Sequence, residues 1–182
     1  AAVSIENKAK ETIENLDSLG GIIECVVKGM PAGIGEPVFD KLDAQLSKAV
    51  MSIGATKGIE IGDGFMVAET TGSENNDEFY NDNGHIAKRT NHSGGVLGGI
   101  SDGSDIIFRT AIKPTPSISS LQSTVSRNGD EMQVCIKGRH DPVIVPRAVV
   151  VVEAMTALTL VDLIFDNMTA CLLYTSDAAD DS

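Results

Sequence analysis

Apolar residues Ile5, Ala9, Ile13 and Leu16 recur at helical spacing near the start of the chain. Ser4 is placed to cap the helix they predict and Gly20 to stop it. Gly21 to Lys28 (GIIECVVK) is a short apolar run rich in β-branched residues, which predicts a buried strand. After a loop over Gly29 to Glu36, Pro37 suits the first turn of a second helix, where a missing N–H loses no intrahelical bond. Phe39, Leu42, Leu46, Ala49 and Val50 form that helix's expected core stripe, and Lys57 to Thr70 returns to strand character.

Thr71 to Gly84 (TGSENNDEFYNDNG) is polar, acidic and full of turn formers, so it predicts a solvated excursion. From Ser104 to Lys113 the pattern alternates. One face carries Ile106, Phe108, Thr110 and Ile112, and the other Ile107, Arg109, Ala111 and Lys113, as in a half-buried strand. Ser123 to Arg127 and Glu131 to Lys137 flank Asn128-Gly129, a pair suited to the positive φ angles of a hairpin turn. A last helix is expected from Pro146 to about Met168. The final residues, Cys171 to Ser182 (CLLYTSDAADDS), do not continue its pattern. Two units are therefore expected: residues 1–170 as one domain, and 171–182 as a non-native or disordered tail outside it.

With 182 residues, 42% of them hydrophobic and 22% charged, the composition is that of an ordinary globular domain. The formal net charge of −12 provides no global attraction for nucleic acid or an anionic membrane, so an anionic ligand must be met by locally clustered cations. Cys25, Cys135 and Cys171 lie far apart without C-x-x-C spacing, which argues against a disulfide scaffold or a zinc site and fits a reducing cytoplasm. No apolar run follows a basic start in Ala1 to Lys10, so no secretory signal is expected there. Ala148 to Phe165 is mostly apolar over about the length of a membrane span. Glu153 and Asp162, however, fall on opposite helix faces, which predicts a buried core helix instead.

Candidate chemistry gathers in the second half. Gly138 to Val152 (GRHDPVIVPRAVVVV) crowds ionisable side chains against a proline-started apolar helix. Pro142 biases Asp141 toward extended backbone, where Arg139 and Asp141 share one face and His140 the other. That pair either meets a ligand or simply holds a loop. Lys113-Pro114-Thr115-Pro116-Ser117 sets an ammonium and two hydroxyls beside two φ-restricted residues, suiting a phosphate and equally a plain strand exit. Asn91 to Gly103 (NHSGGVLGGISDG) packs five glycines after a polar triad, so it either lets backbone approach a ligand or forms a turn between strands. His92 by itself reads as a structural histidine. Arg147, a cation in a helix's first turn, opposes the macrodipole and calls for an anionic partner. With Lys113 and Arg139 at that helix N-terminus it would make an anion site.

Six segments in order, GEPVFD at 35–40, SIGATKG at 52–58, NHSGG at 91–95, GGIS at 98–101, KPT at 113–115 and GRHDP at 138–142, resemble chorismate synthase. The resemblance runs from about Ala1 to Ala170 and matches the C-terminal half of that family's chain. It implies an α+β fold, a β-α-β sandwich with helices packed between antiparallel sheets, assembled as a homotetramer. It also implies a carbon–oxygen lyase of the shikimate pathway to aromatic amino acids. The reaction is 1,4-anti elimination of phosphate from 5-enolpyruvylshikimate 3-phosphate to give chorismate, with reduced FMN supplied through NADPH or a partner reductase. By the same resemblance, FMN contacts fall at Gly54, Ala55, Gly98, Lys113, Pro114, Thr115, Pro116, Ser117 and Arg139. Asp141 matches an aspartate that moves protons around the flavin, and no metal is implied.

The family's N-terminal half, with two catalytic histidines and an Arg/Ser-rich flavin segment, has no counterpart here, and neither His85 nor His92 matches those histidines. Two readings follow. One is half of an FMN-dependent lyase, inactive without the remainder. The other is a free-standing phosphate-binding or interaction domain without catalysis.

Overall fold

The structure, a computed structural model, describes residues 2–138 and 141–180. Its centre is the strand β7 (Ile106–Ile112), flanked by β1 (Gly21–Val27) and β2 (Thr56–Ile61) in an antiparallel sheet of order β1-β7-β2. The alternation expected of β7 is borne out: Ile106, Phe108, Thr110 and Ile112 are at most 3% exposed. They face the helices α2 (Leu42–Met51) and α4 (Val145–Asp180). Ile23, Val50, Phe108, Ile112 and Val152 form one apolar cluster there, and Leu42, Leu46, Ile106, Leu160 and Leu163 belong to a second. Truncating Phe108 to alanine would cost about 3–5 kcal/mol. Thr110, the polar member of the buried face, donates its hydroxyl to the Gly58 carbonyl at 3.0 Å, beside a register shift between Thr56 and Gly58. The class is α+β, as expected, and among the described residues the chain contributes one three-stranded sheet with helices packed on one face, beside three two-stranded pairs.

Several element boundaries differ from the expected ones. Helix α1 (Ala2–Glu14) starts before Ser4 and stops before Leu16, which takes φ +57. Ile13 and Leu16 are more than half exposed, so they form no core stripe. β1 is an edge strand buried on one face only, with Ile22 and Val26 turned outward. α2 begins at Leu42 because Lys41 is extended and the Leu42 N–H is taken by the Gly99 carbonyl at 2.7 Å. Pro37 and Phe39 thus precede the helix, and Phe39 is 85% exposed. The strand over 57–70 ends at Ile61, where positive φ at Gly62 and Gly64 leads into a 3-10 turn, Gly64–Glu69.

The polar excursion contains α3 (Gly72–Asn75), closed by a Thr71/Glu74 capping box, and then the hairpin of β3 (Phe79–Asp82) and β4 (His85–Lys88). β5 (Val96–Leu97) and β6 (Ile100–Ser101) pair within the glycine-rich stretch. The expected hairpin forms as β8 (Gln122–Val125) and β9 (Glu131–Val134). Its loop is longer than a two-residue turn, and of Asn128 and Gly129 only Gly129 takes positive φ.

α4 begins as expected around Pro146 but continues to Asp180 instead of ending near Met168. It is not a buried core helix. Val152, Thr156, Leu160 and Leu163 pack inward, while Val150, Leu158, Phe165 and Met168 are exposed. Val145–Ala170 is long and apolar enough to cross a membrane, with mean hydropathy 2.1, and 22% of it is buried against this chain.

Candidate functional site

The end of β7 is where most of the singled-out residues meet. Ile112 pairs with Gly21 on one side and Thr56 on the other, and beyond it the Lys113 N–H donates to the Ala55 carbonyl at 2.9 Å. Ala55 turns there with φ +73, which brings the turn after α2 against the Lys113–Ser117 run. Gly20 lies beneath, where any Cβ would collide with the Ile112 carbonyl and touch the Pro114 ring. The Ser18 hydroxyl donates to the Thr115 carbonyl at 2.6 Å, the Ser120 N–H to the Leu16 carbonyl at 3.2 Å, and the Leu19 N–H to the Pro142 carbonyl at 2.7 Å. Leu19 and Val143 also form a parallel bridge. The segment Leu16–Gly20 therefore sits between the run after β7 and the approach to α4. A cavity of about 160 Å³ opens there, lined among others by Asp17, Ser18, Ser117, Ser119 and Asp141.

These side chains differ in what remains free for a ligand. Lys113 is exposed and makes no ion pair among the described residues. The Thr115 hydroxyl is buried with no hydrogen-bond partner among them, the kind of orphan that a bound acceptor would satisfy. Pro114 and Pro116 flank it and fix its backbone. Gly54 is exposed, with open space where a side chain would stand. The Asp141 carboxylate is held by Arg147 at 2.6 Å. The anion that Arg147 calls for is thus supplied within the chain, and Asp141 has its partner on α4. Arg139 and His140 lie outside the described residues. Gly98 is not brought to this place: its neighbour Gly99 meets the start of α2, while Gly54 and Ala55 follow the end of it. Ten helical residues separate the two ends by about 15 Å.

Sequence reasoning missed Asp17 and Ser18. DSLGG at 17–21 reads as a helix stop, and the contacts that give it meaning reach residues about a hundred positions away.

The polar triad Asn91-His92-Ser93 turns into a network instead of toward open space. The Lys88 ammonium, almost fully buried, sits within hydrogen-bonding distance of Asp102 (2.7 Å), Ser93 (2.9 Å), Asn91 (3.1 Å) and Asp77 (3.3 Å), four acceptors for its three N–H groups. Asp77 in turn accepts from the Thr90 and Ser93 hydroxyls and from the His92 and Ser93 N–H groups. Burial pushes the Asp77 carboxyl up, but these hydrogen bonds outweigh it and hold the group well below the usual carboxylate range. For Asp102, burial is likewise outweighed by Lys88 and Ser104. His92 Nδ1 lies 2.6 Å from Asp63, in agreement with a structural histidine. Gly94 and Gly95 are needed for packing, since a side chain at either would strike the backbone of Gly62 or Asp105. The first half of the glycine-rich stretch is thus a packed turn, while Gly98 remains open.

Comparison with known proteins bears on the same residues. A family model described as chorismate synthase matches residues 1–165. A chorismate synthase of Lachnospira eligens is 66% identical over 170 residues, which cover 93% of this chain and 46% of that protein. One of Lachnoclostridium phytofermentans is 64% identical over 175 residues, 96% of this chain and 48% of the relative. A crystal structure of chorismate synthase superposes with a TM-score of 0.73 at 32% identity, over 90% of this chain and 42% of that one. The chain spans about half the length of the relatives it matches.

Proposed function

The chain belongs to the chorismate synthase family, and from that premise we propose that it is the second half of an enzyme that eliminates phosphate from 5-enolpyruvylshikimate 3-phosphate to form chorismate. The observation that carries this reading is the junction at the end of β7. There the Lys113 N–H and Ala55 carbonyl join two of the motif segments, beside the Thr115 hydroxyl, which has no partner among the described residues, and the cavity that Ser117 and Asp141 line.

The residues fit a phosphorylated cofactor such as FMN. Lys113 offers a charge-assisted hydrogen bond, Thr115 and Ser117 offer hydroxyls, and Gly54 with Ala55 offers backbone without bulk. Arg139 joins the set by family correspondence, whereas Gly98, a family match too, lies at the other end of α2 and does not reach it within this chain. When bound, reduced FMN would supply the transient electron density needed for phosphate to leave. Around it, the prolines hold the donors in place, so little entropy is lost when they converge on an anion. Asp141 Oδ2 is tied to Arg147, which leaves Oδ1 to accept and pass on a proton. The remaining half of the enzyme would supply the catalytic histidines, and the assembled enzyme would be a cytoplasmic homotetramer.

Calorimetric titration of the intact protein with FMN tests the reading, with Lys113→Ala beside it. Binding that the substitution weakens supports it. An intact protein that binds no FMN in either redox state overturns it.

A further inference from the structure

The stretch from Pro114 to Ile118 is held by very little. Pro114 and Pro116 have no N–H to donate, and among the described residues no backbone–backbone hydrogen bond ties any residue from Pro114 to Ser119 to the rest of the chain. The nearest such bonds are at the two ends, from Lys113 to Ala55 and from Ser120 to Leu16. Among the described residues, one hydrogen bond remains between Pro114 and Ile118, that of the Ser18 hydroxyl with the Thr115 carbonyl, 2.6 Å long and partly buried. Ser18 is itself fixed. Its N–H donates to Asp17 Oδ1 at 2.7 Å, and the next residue, Leu19, donates its N–H to the Pro142 carbonyl. Two adjacent residues thus reach in two directions, to the residue with the orphan hydroxyl and to the residue after Asp141.

We infer that Ser18 is a positioning residue. Its hydroxyl holds the Lys113–Ser117 turn at a fixed distance from Asp141, so that the donors for an anionic cofactor and the proton-accepting carboxylate act on one ligand. The inference rests on the proposed FMN reading and adds to it a residue outside the segments that carry the family resemblance. Proline restraint sets the shape of the turn but not its placement, and the hydroxyl supplies the placement. Gly20 contributes by letting this segment lie flush under Ile112 and Pro114.

The test uses the intact protein with Ser18→Ala, Ser18→Thr and Ser18→Cys, and Lys113→Ala as reference. FMN affinity is measured by calorimetry well below the melting transition, together with kcat, KM and Tm. Ser18→Ala and Ser18→Cys should weaken FMN binding by roughly three- to tenfold, the loss of about one hydrogen bond, and Ser18→Thr should restore it. Loss of affinity with that rescue, at a Tm that leaves the protein folded, supports the inference. If Lys113→Ala weakens binding and Ser18→Ala or Ser18→Cys does not, the inference falls and the FMN reading stands. If the intact protein binds FMN and neither substitution weakens it, the inference falls and Lys113 is not one of the FMN donors; if the intact protein binds no FMN, both readings fall. Equal losses in the alanine and threonine variants would also overturn it, because the hydroxyl would then not be the operative group. Should Ser18→Ala fail to fold, the cysteine and threonine variants decide alone by the same criteria.

Discussion

The Lys88 ammonium and the Asp77 carboxylate, each 3% exposed, meet at 3.3 Å, and Asp77 is also the acceptor for both His92 and Ser93. A buried charge pair of this kind stabilises the fold only while both partners are charged. The folded carboxyl of Asp77 sits below its unfolded value of about 3.9. The folded state therefore binds fewer protons, and the stabilisation is complete above that value and is lost as pH falls through the folded pKa. Thermal melts of the protein should decline below about pH 4. Asp77→Asn should be less stable at neutral pH by about 3 kcal/mol, with a flatter acid limb. A variant with the wild-type acid profile would show that other carboxylates govern it.

Lys113→Ala and Arg139→Ala should each weaken binding of FMN or substrate by the intact enzyme. Charge-assisted hydrogen bonds to phosphate or carboxylate are worth roughly 1.5–3 kcal/mol each. Calorimetric titration with both ligands checks this. Unchanged affinities for both would return these residues to a structural role.

How legible each part was in the sequence depends on whether its cause is local. β7 was readable because a half-buried strand writes its two faces into alternate positions, and Phe108 and Ile112 fall on the core side. The inner stripe of α2 was readable at Leu42, Leu46 and Val50 for the same reason. Phe39 was misassigned because the start of that helix is set by the Gly99 carbonyl, a tertiary partner with no local signature. Apolar content alone suggested a buried α4, but burial requires a cover on every side, and this chain provides one. Within the site, Lys113 and Asp141 stood out by type and setting, and Ala55 through the family resemblance alone. Ser18 could not, since its role depends on a carbonyl 97 positions away.

Deleting Cys171 to Ser182 should leave the melting temperature unchanged. Among the described side chains of α4, the inward apolar stripe ends at Leu163 and Ile164, and the Asn167 side chain reaches the Gly33 carbonyl at 3.1 Å, still short of the tail. The sequence CLLYTSDAADDS does not continue the apolar pattern of α4, and a helical extension without such a pattern adds little stability. Paired thermal melts decide the matter, and a drop of several degrees on deletion would mean that the tail packs.

The 182-residue chain alone should form no chorismate when given reduced FMN and substrate under anaerobic conditions. Removing members of a catalytic set costs orders of magnitude in rate, and the chain spans about half the length of its relatives. Turnover by this chain without a complement would contradict the proposed division of the site.

Asp141 and Arg147 form an ion pair whose cation is 77% exposed. Exposed pairs contribute about 0–1 kcal/mol, so stability is a weak explanation for the pair. If Asp141 instead moves a proton, Asp141→Asn keeps shape and hydrogen-bonding capacity but loses that function. Turnover of the intact enzyme should then fall about 10²–10⁴-fold, with little change in FMN affinity or melting temperature. Arg147→Gln separates the two roles, because it removes the pair and leaves the carboxylate. It should retain far more activity than Asp141→Asn. Normal turnover in Asp141→Asn would leave Asp141 as no more than the partner of Arg147. If both variants instead melt early and lose FMN to the same extent, the pair serves to hold the approach to α4. Rate, flavin affinity and melting temperature measured on the same preparations distinguish these outcomes.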